Sequence, residues 1–182
     1  MKIVTHNKNK YLEYKERFEK NSIDLEWINL EYVEIQSGNP EEIVEYSVNY
    51  VKKIVEPPFF LEDAGLAIKI LKGFPGPYSS FVHDKIGNSG ILKLMEGIED
   101  REAVFYAIIG FFDGHEVQTF KGSVQGEITK KEKGSNGFGY DPIFRPLRSS
   151  KTFAEMEINE KNLYSHRSLA FDEFVKYLKK IQ

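Results

Sequence analysis

Cysteine is absent from this sequence of 182 residues. Its absence excludes disulfide bonds, thiolate zinc sites, cysteine nucleophiles and iron–sulfur clusters, so any bound metal is expected to have oxygen ligands. Long apolar runs are also missing, and the opening residues Met1 to Val4 lead directly into a polar segment. We therefore expect neither a signal peptide nor a membrane span, and we expect a cytoplasmic protein with no membrane partner.

The sequence also lacks a large excess of charge of one sign. The net charge is −3 at pH 7 and the pI is about 5.9, which gives no general attraction to polyanions. No nucleic-acid partner is therefore expected, and any phosphate binding must depend on local groups. Hydrophobic residues make up 41% of the chain, enough for a sizeable core, and no linker or repeat divides it. Residues 1–182 are thus expected to form a single domain.

Predicted helices and strands are interleaved along the chain. A short strand over residues 2–5 precedes a charged amphipathic helix over residues 8–20, and Pro40 opens a second helix because proline suits the first helical position. Residues 103–129 predict a β-hairpin around an Asp-Gly turn, and residues 166–180 predict a C-terminal helix. This alternation indicates an α/β architecture, with helices packed on a sheet.

Glycines and aromatic residues alternate in the segment Gly137-Phe138-Gly139-Tyr140-Asp141. Glycine permits positive φ and a close approach of the backbone to a flat ligand, so both rings could be presented as stacking faces. Asp141 would then be a nearby hydrogen-bond acceptor. This pattern is typical of a purine site.

A second polar segment follows at Lys161 and Ser165-His166-Arg167. An ammonium, a hydroxyl, an imidazole and a guanidinium group within seven residues form a dense set of donors for phosphate or carbonyl oxygens. Together with the aromatic segment, they indicate a nucleotide site.

Thr5, Asn7 and Lys10 lie where the first predicted strand passes into the first helix. Exposed amides, the asparagine side chain and the lysine ammonium could bind an anion there. The alternative is that Thr5 and Asn7 only cap the helix and that Lys10 is solvated.

Glu62 and Asp63 follow the apolar stretch Phe59-Phe60-Leu61, which predicts a short buried strand. Carboxylates there are costly unless they are hydrogen-bonded or bound to metal. A bend at Ala64-Gly65 would bring both acids into one pocket, where Glu34 could complete an oxygen cage for Mg²⁺. The alternative is a turn with solvated acids.

Several common motifs are absent. The glycine spacing around Gly137 reverses the dinucleotide-binding pattern and precedes no helix, and the sequence contains neither a P-loop nor a G-x-S-x-G elbow. Rossmann, P-loop and serine-hydrolase chemistry are therefore excluded.

Six segments occur together in the same order as in one known family. They are Thr5-His6-Asn7-Lys8-Asn9-Lys10, Glu62-Asp63-Ala64-Gly65-Leu66, Phe74-Pro75-Gly76-Pro77-Tyr78-Ser79-Ser80, Gly137 to Phe144, Thr152-Phe153-Ala154-Glu155-Met156 and Ser165-His166-Arg167. The sequence closely resembles the inosine triphosphate pyrophosphatase (Ham1) family from residue 5 to residue 167. The resemblance implies a twisted mixed sheet with two lobes and an active-site cleft between them, a homodimer, and Mg²⁺-dependent hydrolysis of ITP, dITP and XTP to the monophosphate and pyrophosphate.

The resemblance also implies a role for each matching residue. Asn7 and Lys10 would hold the triphosphate, with Lys53 on the second helix as a further contact. Glu34, Glu62 and Asp63 would place metal and water, with Asp63 as the base. The remaining residues with an implied role lie near the substrate or its base: Ser79, Ser80, Phe138, Tyr140, Asp141, Lys161, His166 and Arg167.

The sequence departs from the family pattern at two places. Ala64 follows the acidic pair where a serine or threonine is usual, and the segment from Glu34 to Pro40 is one residue longer than expected. Two other functions stay open. One is a Maf-like pyrophosphatase of modified nucleotides, and the other is a non-enzymatic nucleotide or RNA binder, which would not need Glu62 and Asp63.

Overall fold

The computed structural model describes residues 1–181. The strands are β1 (Lys2–Val4), β2 (Glu26–Ile28), β3 (Phe59–Ile68), β4 (Pro75–Gly76), β5 (Glu102–Phe112), β6 (Val117–Ile128) and β7 (Phe144–Pro146). The helices are α1 (Lys8–Lys20), α2 (Pro40–Val51), α3 (Ser79–Leu94), α4 (Ile158–Lys161) and α5 (His166–Ile181), with 3-10 turns at Lys69–Leu71 and Phe153–Glu155. Within this part of the chain, no helix has the length and apolar character needed to cross a membrane.

The strands form one seven-stranded sheet with the order β2-β1-β3-β5-β6-β7, and β4 pairs with β3. β1 is parallel to β2 and β3, whereas β3 with β4 and β6 with β7 are antiparallel. The sheet is therefore mixed, and the predicted α/β class is confirmed.

The chain divides into two compact units. The first unit contains residues 1–63 and 108–120, and the second contains residues 64–107 and those from 121 onward. The long strands β3, β5 and β6 contribute residues to both units. The single domain and the cleft expected from the sequence stay predictions.

The first unit is built on α1, α2 and the strands beneath them. Asn7 caps α1, and Tyr14 and Phe18 are buried on its apolar side, where both rings contact Phe60 of β3. Val48 of α2 packs closely on the sheet, since a Cβ at Gly110 of β5 would lie 2.6 Å from its methyl carbon.

The second unit has a core rich in aromatic side chains. Phe105 of β5 meets Phe144 of β7 edge to face at a centroid distance of 5.0 Å, and Phe144 lies 5.2 Å from Phe153. The backbone of α5 packs directly against β6 at Gly122, where a Cβ would collide with the carbonyl oxygen of His166. The core thus fixes the start of α5, which carries His166 and Arg167.

One predicted feature of the sheet is wrong. β3 does not end at Leu61, because it continues through Ala64-Gly65 to Ile68. The continuing strand is held by antiparallel pairing of Leu66 with Gly76 of β4. Glu62 and Asp63 therefore lie within a strand and not at its end.

Candidate functional site

The acidic residues of the first unit have different surroundings. Glu62 is only 3% exposed, Asp63 is partly exposed, and Glu34 is exposed in the segment between β2 and α2. Among residues 1–181, no group of three or more histidine, aspartate or glutamate side chains is arranged to hold a metal ion. The three predicted metal ligands therefore do not form a preassembled cage.

Tyr32 lies close to all three of these carboxylates. Burial of its hydroxyl raises the pKa of Tyr32 well above its ordinary value, and the negative charges of Glu34, Asp63 and Glu62 raise this pKa further. These effects keep the Tyr32 phenol neutral. The charges of the three acids repel one another, and a cation would reduce this repulsion.

Tyr32 was missed by the sequence analysis. The one local indication in the sequence was that Tyr32 lies two residues before Glu34, a predicted metal ligand. Nothing in the spacing showed that it would approach Glu62 and Asp63, because those residues come from another strand.

Lys10 is directed toward the acidic residues from the first turn of α1. Its Nζ donates to the backbone carbonyl oxygen of Glu62 at 2.9 Å and lies 3.4 Å from the carboxylate Oε2. The side chain of Glu62 is 2% exposed and that of Lys10 is 17% exposed. Lys10 is therefore not the solvated surface lysine of the alternative interpretation, and it brings a positive charge to the acids.

Asn7 caps α1, as the alternative interpretation of this segment predicted, and Thr5 accepts a hydrogen bond from the cap residue. The Asn7 side chain accepts hydrogen bonds from the amides of Asn9 and Lys10 at 2.9 and 3.2 Å, and its own amide donates to Thr5 Oγ1 at 3.1 Å. These two amides of the first turn are therefore occupied by the cap. Lys53 is exposed and lies in the turn after α2, which ends at Val51, so its predicted place on that helix is wrong.

The aromatic segment of the second unit forms a tight turn around Asp141. Gly137 and Gly139 have φ values of 72° and 61°, which favour glycine. The Asp141 carboxylate accepts the Phe138 amide at 2.9 Å and the Lys161 ammonium at 2.7 Å. Lys161 and Asp141 are both buried, so this charge pair holds the turn in place.

Phe138 and Tyr140 differ in their environment. Phe138 is half-buried, with Lys161 Nζ 5.3 Å and Arg167 Cζ 5.0 Å from its ring centroid. Tyr140 is 3% exposed, donates its hydroxyl to the Ser79 carbonyl at 2.9 Å and meets His83 edge to face. Tyr140 is therefore part of the core and offers no exposed ring face for stacking. The half-buried ring of Phe138 is the one that a flat ligand could stack on.

Of the remaining predicted residues, His166, Arg167 and Ser79 are buried, whereas Ser80 is exposed. His166 and Arg167 are 1% and 5% exposed at the start of α5, and the His166 imidazole stacks on Phe105 at 4.4 Å with an interplanar angle of 2°. Ser79 Oγ donates to Gly76 at 2.7 Å and accepts the Leu66 amide at 2.8 Å, so it links α3 to β3 and β4. Its neighbour Ser80 is exposed in the first turn of α3.

The fold is a mixed α/β fold that carries Lys10 and three carboxylates near Tyr32 in the first unit, and two cations beside Phe138 in the second. The Ham1 family profile matches residues 1–177, and the chain belongs to this family.

Two similar proteins match nearly the whole chain. The dITP/XTP pyrophosphatase of Saccharolobus solfataricus is 46% identical over 97% of this chain and 92% of its own length. That of Pyrococcus horikoshii is 46% identical over 98% of this chain and 97% of its own. The solved structure of the Staphylococcus aureus Ham1 protein is also similar, with a TM-score of 0.84 and 28% identity. The match covers 100% of this chain and 100% of that protein.

Proposed function

We propose that this protein hydrolyses the non-standard purine nucleotides ITP, dITP and XTP to the monophosphate and pyrophosphate. The observation that carries the proposal is the 46% identity, over nearly the full length, with relatives named dITP/XTP pyrophosphatase. Such a hydrolase would remove these nucleotides from the nucleotide pool.

The base would be bound by the second unit. Phe138 offers a ring face, and the Lys161 and Arg167 cations beside it are hydrogen-bond donors. Hypoxanthine and xanthine carry a 6-oxo acceptor, whereas adenine presents a 6-amino donor, so these cations favour the former and oppose the latter. His166 lies beside Arg167 at the same end of α5.

The triphosphate would be bound by the first unit. Lys10 and the start of α1 supply positive charge for a polyanion, and Lys53 is a further candidate contact. Asp63 is the accessible carboxylate of β3, and it would orient a water molecule for in-line attack on the α-phosphorus.

The chemistry of the donors also fits Mg²⁺, because Glu34, Glu62 and Asp63 offer the oxygen ligands that this ion prefers and the charges of all three act on Tyr32. We propose that these carboxylates hold it, with a rearrangement of Glu34, which is the exposed member. The ion would supply charge neutralisation for the phosphates. A homodimer and a cytoplasmic location complete the proposal.

Pyrophosphate release from ITP, dITP, XTP, GTP and ATP, each with and without Mg²⁺, tests the function. We expect rapid release from the first three, slow release from ATP, and loss of activity without the metal. Equal rates for ITP and ATP would refute base selection. Hydrolysis in ¹⁸O-labelled water should place the label in the monophosphate, and label in pyrophosphate would contradict attack at the α-phosphorus.

The two alternatives have weaker support. Membership of the Ham1 family disfavours a Maf-like pyrophosphatase. A non-enzymatic binder gives no account of the buried Glu62 beside Lys10. Release of pyrophosphate in the same assay separates the binder from the enzyme.

A further inference from the structure

α3 is interrupted beside the aromatic turn of the second unit. Gly87 has φ 61° and ψ −168°, a conformation that only glycine adopts readily, and it divides α3 into two helical segments. No atom lies within 4 Å of a Cβ built at Gly87, so the glycine is explained by its backbone conformation and not by crowding. The break sets the direction of the next side chain, Asn88.

Asn88 is tied to the turn that presents Phe138. Its Nδ2 donates to the backbone carbonyl oxygen of Gly139 at 3.1 Å. The first segment of α3 holds the following residue of the turn, since Tyr140 donates to the Ser79 carbonyl at 2.9 Å and meets the His83 ring at 5.1 Å. Both segments of α3 therefore contact the same turn.

The amide of Asn88 is oriented for this one contact. Its Oδ1 is buried and has no hydrogen-bond partner among the residues that the structure describes. A flipped amide would place Oδ1 against the Gly139 carbonyl, where two acceptors oppose each other. The bond to Gly139 is thus made although the other end of the amide is left unsatisfied in a buried position.

The turn needs such a support because glycines flank Phe138 on both sides. Gly137 and Gly139 each have positive φ, and glycine is the residue with the most conformational freedom to lose. The Asp141 carboxylate holds the Phe138 amide on one side, and Asn88 holds the Gly139 carbonyl on the other. Together they fix the peptide groups on either side of the ring.

We propose that Asn88, set in place by the break at Gly87, is a positioning residue that holds the Phe138 turn in the conformation that binds the purine base. This inference rests on the proposed function. It assigns Asn88 no contact with the nucleotide.

The test replaces the donor of Asn88 without changing the size of the side chain. For Asn88→Asp, which presents an acceptor to Gly139, we expect KM for ITP to rise roughly fivefold or more while kcat changes little. Inorganic tripolyphosphate, used as a competitive inhibitor without a base, should keep its inhibition constant. Asn88→Ala, which removes the side chain without adding a charge, should raise KM in the same direction.

The matched control is Ser89→Ala, because Ser89 is the exposed neighbour on the same segment and makes only a local hydrogen bond to Ile86. It should leave both constants unchanged. A parallel weakening of ITP and tripolyphosphate in the Asn88 variants, or no change in either, would overturn the proposal. A wild type that does not cleave ITP would instead refute the proposed function, so the two failures are distinguishable.

Discussion

Adjacent carboxylates on β3 have different surroundings. Glu62 is 3% exposed and lies beside the Lys10 ammonium, whereas Asp63 is partly exposed. A buried acid beside a cation is suited to holding charge, and the accessible acid is suited to contacting water. This difference favours Asp63 as the base in the proposed reaction.

Asp63→Asn is expected to lower kcat for ITP by roughly 10² to 10⁴-fold, the usual contribution of a general base. Its amide has nearly the same shape but cannot take up the proton of water. Steady-state kinetics with ITP check the prediction. Asp100→Asn is the control, because Asp100 lies at the surface, where it pairs with Lys69 and accepts a hydrogen bond from the Glu102 amide. Normal turnover by Asp63→Asn would remove this residue from the role of base.

Phe138 and Tyr140 should respond differently to substitution. Phe138→Ala removes a stacking face, so KM for ITP should rise by an amount equivalent to about 1–3 kcal/mol. Tyr140→Phe removes the bond to the Ser79 carbonyl, so it should lower the free energy of unfolding by about 1 kcal/mol and leave KM nearly unchanged. Kinetics and urea unfolding of both variants measure these effects. An equal rise of KM in both would show that Tyr140 also meets the base.

At the scale of elements, β3 continues past the acids because a glycine permits it. A Cβ at Gly65 would collide with the Tyr106 hydroxyl and would lie 2.6 Å from the carbonyl oxygen of Gly76 on β4. Two neighbouring elements can therefore pack against β3 only while this position has no side chain. Here the glycine is needed for space, since its φ is not positive.

Gly65→Ala should destabilise the protein by about 1–3 kcal/mol, the usual cost of overpacking. Gly38→Ala is the matched control, because a Cβ there meets no atom within 4 Å and the backbone is not in the left-handed region. Thermal unfolding of both variants makes the comparison. A Gly65→Ala variant as stable as the control would show that the strand can move aside.

The hairpin of β5 and β6 has a pH-dependent element in its turn. Backbone amides of Glu116 and His115 donate to the Asp113 carboxylate and hold its pKa below the ordinary value. A lowered pKa means stabilisation that is present above the unfolded-state pKa and lost as the pH falls through the folded-state value.

Asp113→Asn should therefore be less stable than the wild type at pH 7, and the difference should vanish as the pH falls below about 4. Melting temperatures of both proteins across this range provide the measurement. The effect will be small, since Asp113 lies at the surface. A difference that stays constant with pH would show that the charge of Asp113 adds nothing to the turn.

At the scale of the whole molecule, the small net charge of −3 hides an uneven distribution. Carboxylates gather around Tyr32 in the first unit, and the cations Lys161 and Arg167 gather around Phe138 in the second. The proposed function assigns the polyphosphate to the first group and the base to the second. Composition alone shows neither group.

The assembly expected from the family resemblance is a homodimer. Large apolar side chains at the surface of the second unit, Phe81 at 63% and Tyr78 at 41% exposure, are of the kind that partner chains cover. Light scattering after gel filtration should give a mass twice that of the 21.1 kDa chain. The monomer mass at micromolar concentration would contradict the expectation.

Elements with strong local signals could be predicted from the residues alone. The bounds of α1 match the predicted helix, Pro40 begins α2, and the hairpin turn lies at Asp113-Gly114. Caps, proline and tight turns act within a few residues, so they can be read from the chain. The ordered motifs likewise identified the family and the residues worth locating.

The partners of those residues depend on how distant segments pack together. β3 runs past Glu62 because β4 pairs with it, and Tyr140 is buried because α3 supplies a carbonyl and an aromatic edge. The effect of Glu62 and Asp63 on Tyr32, and the bond from Asn88 to Gly139, each join residues 30 or more positions apart. Such contacts depend on packing between distant segments, and no local pattern in the sequence encodes them.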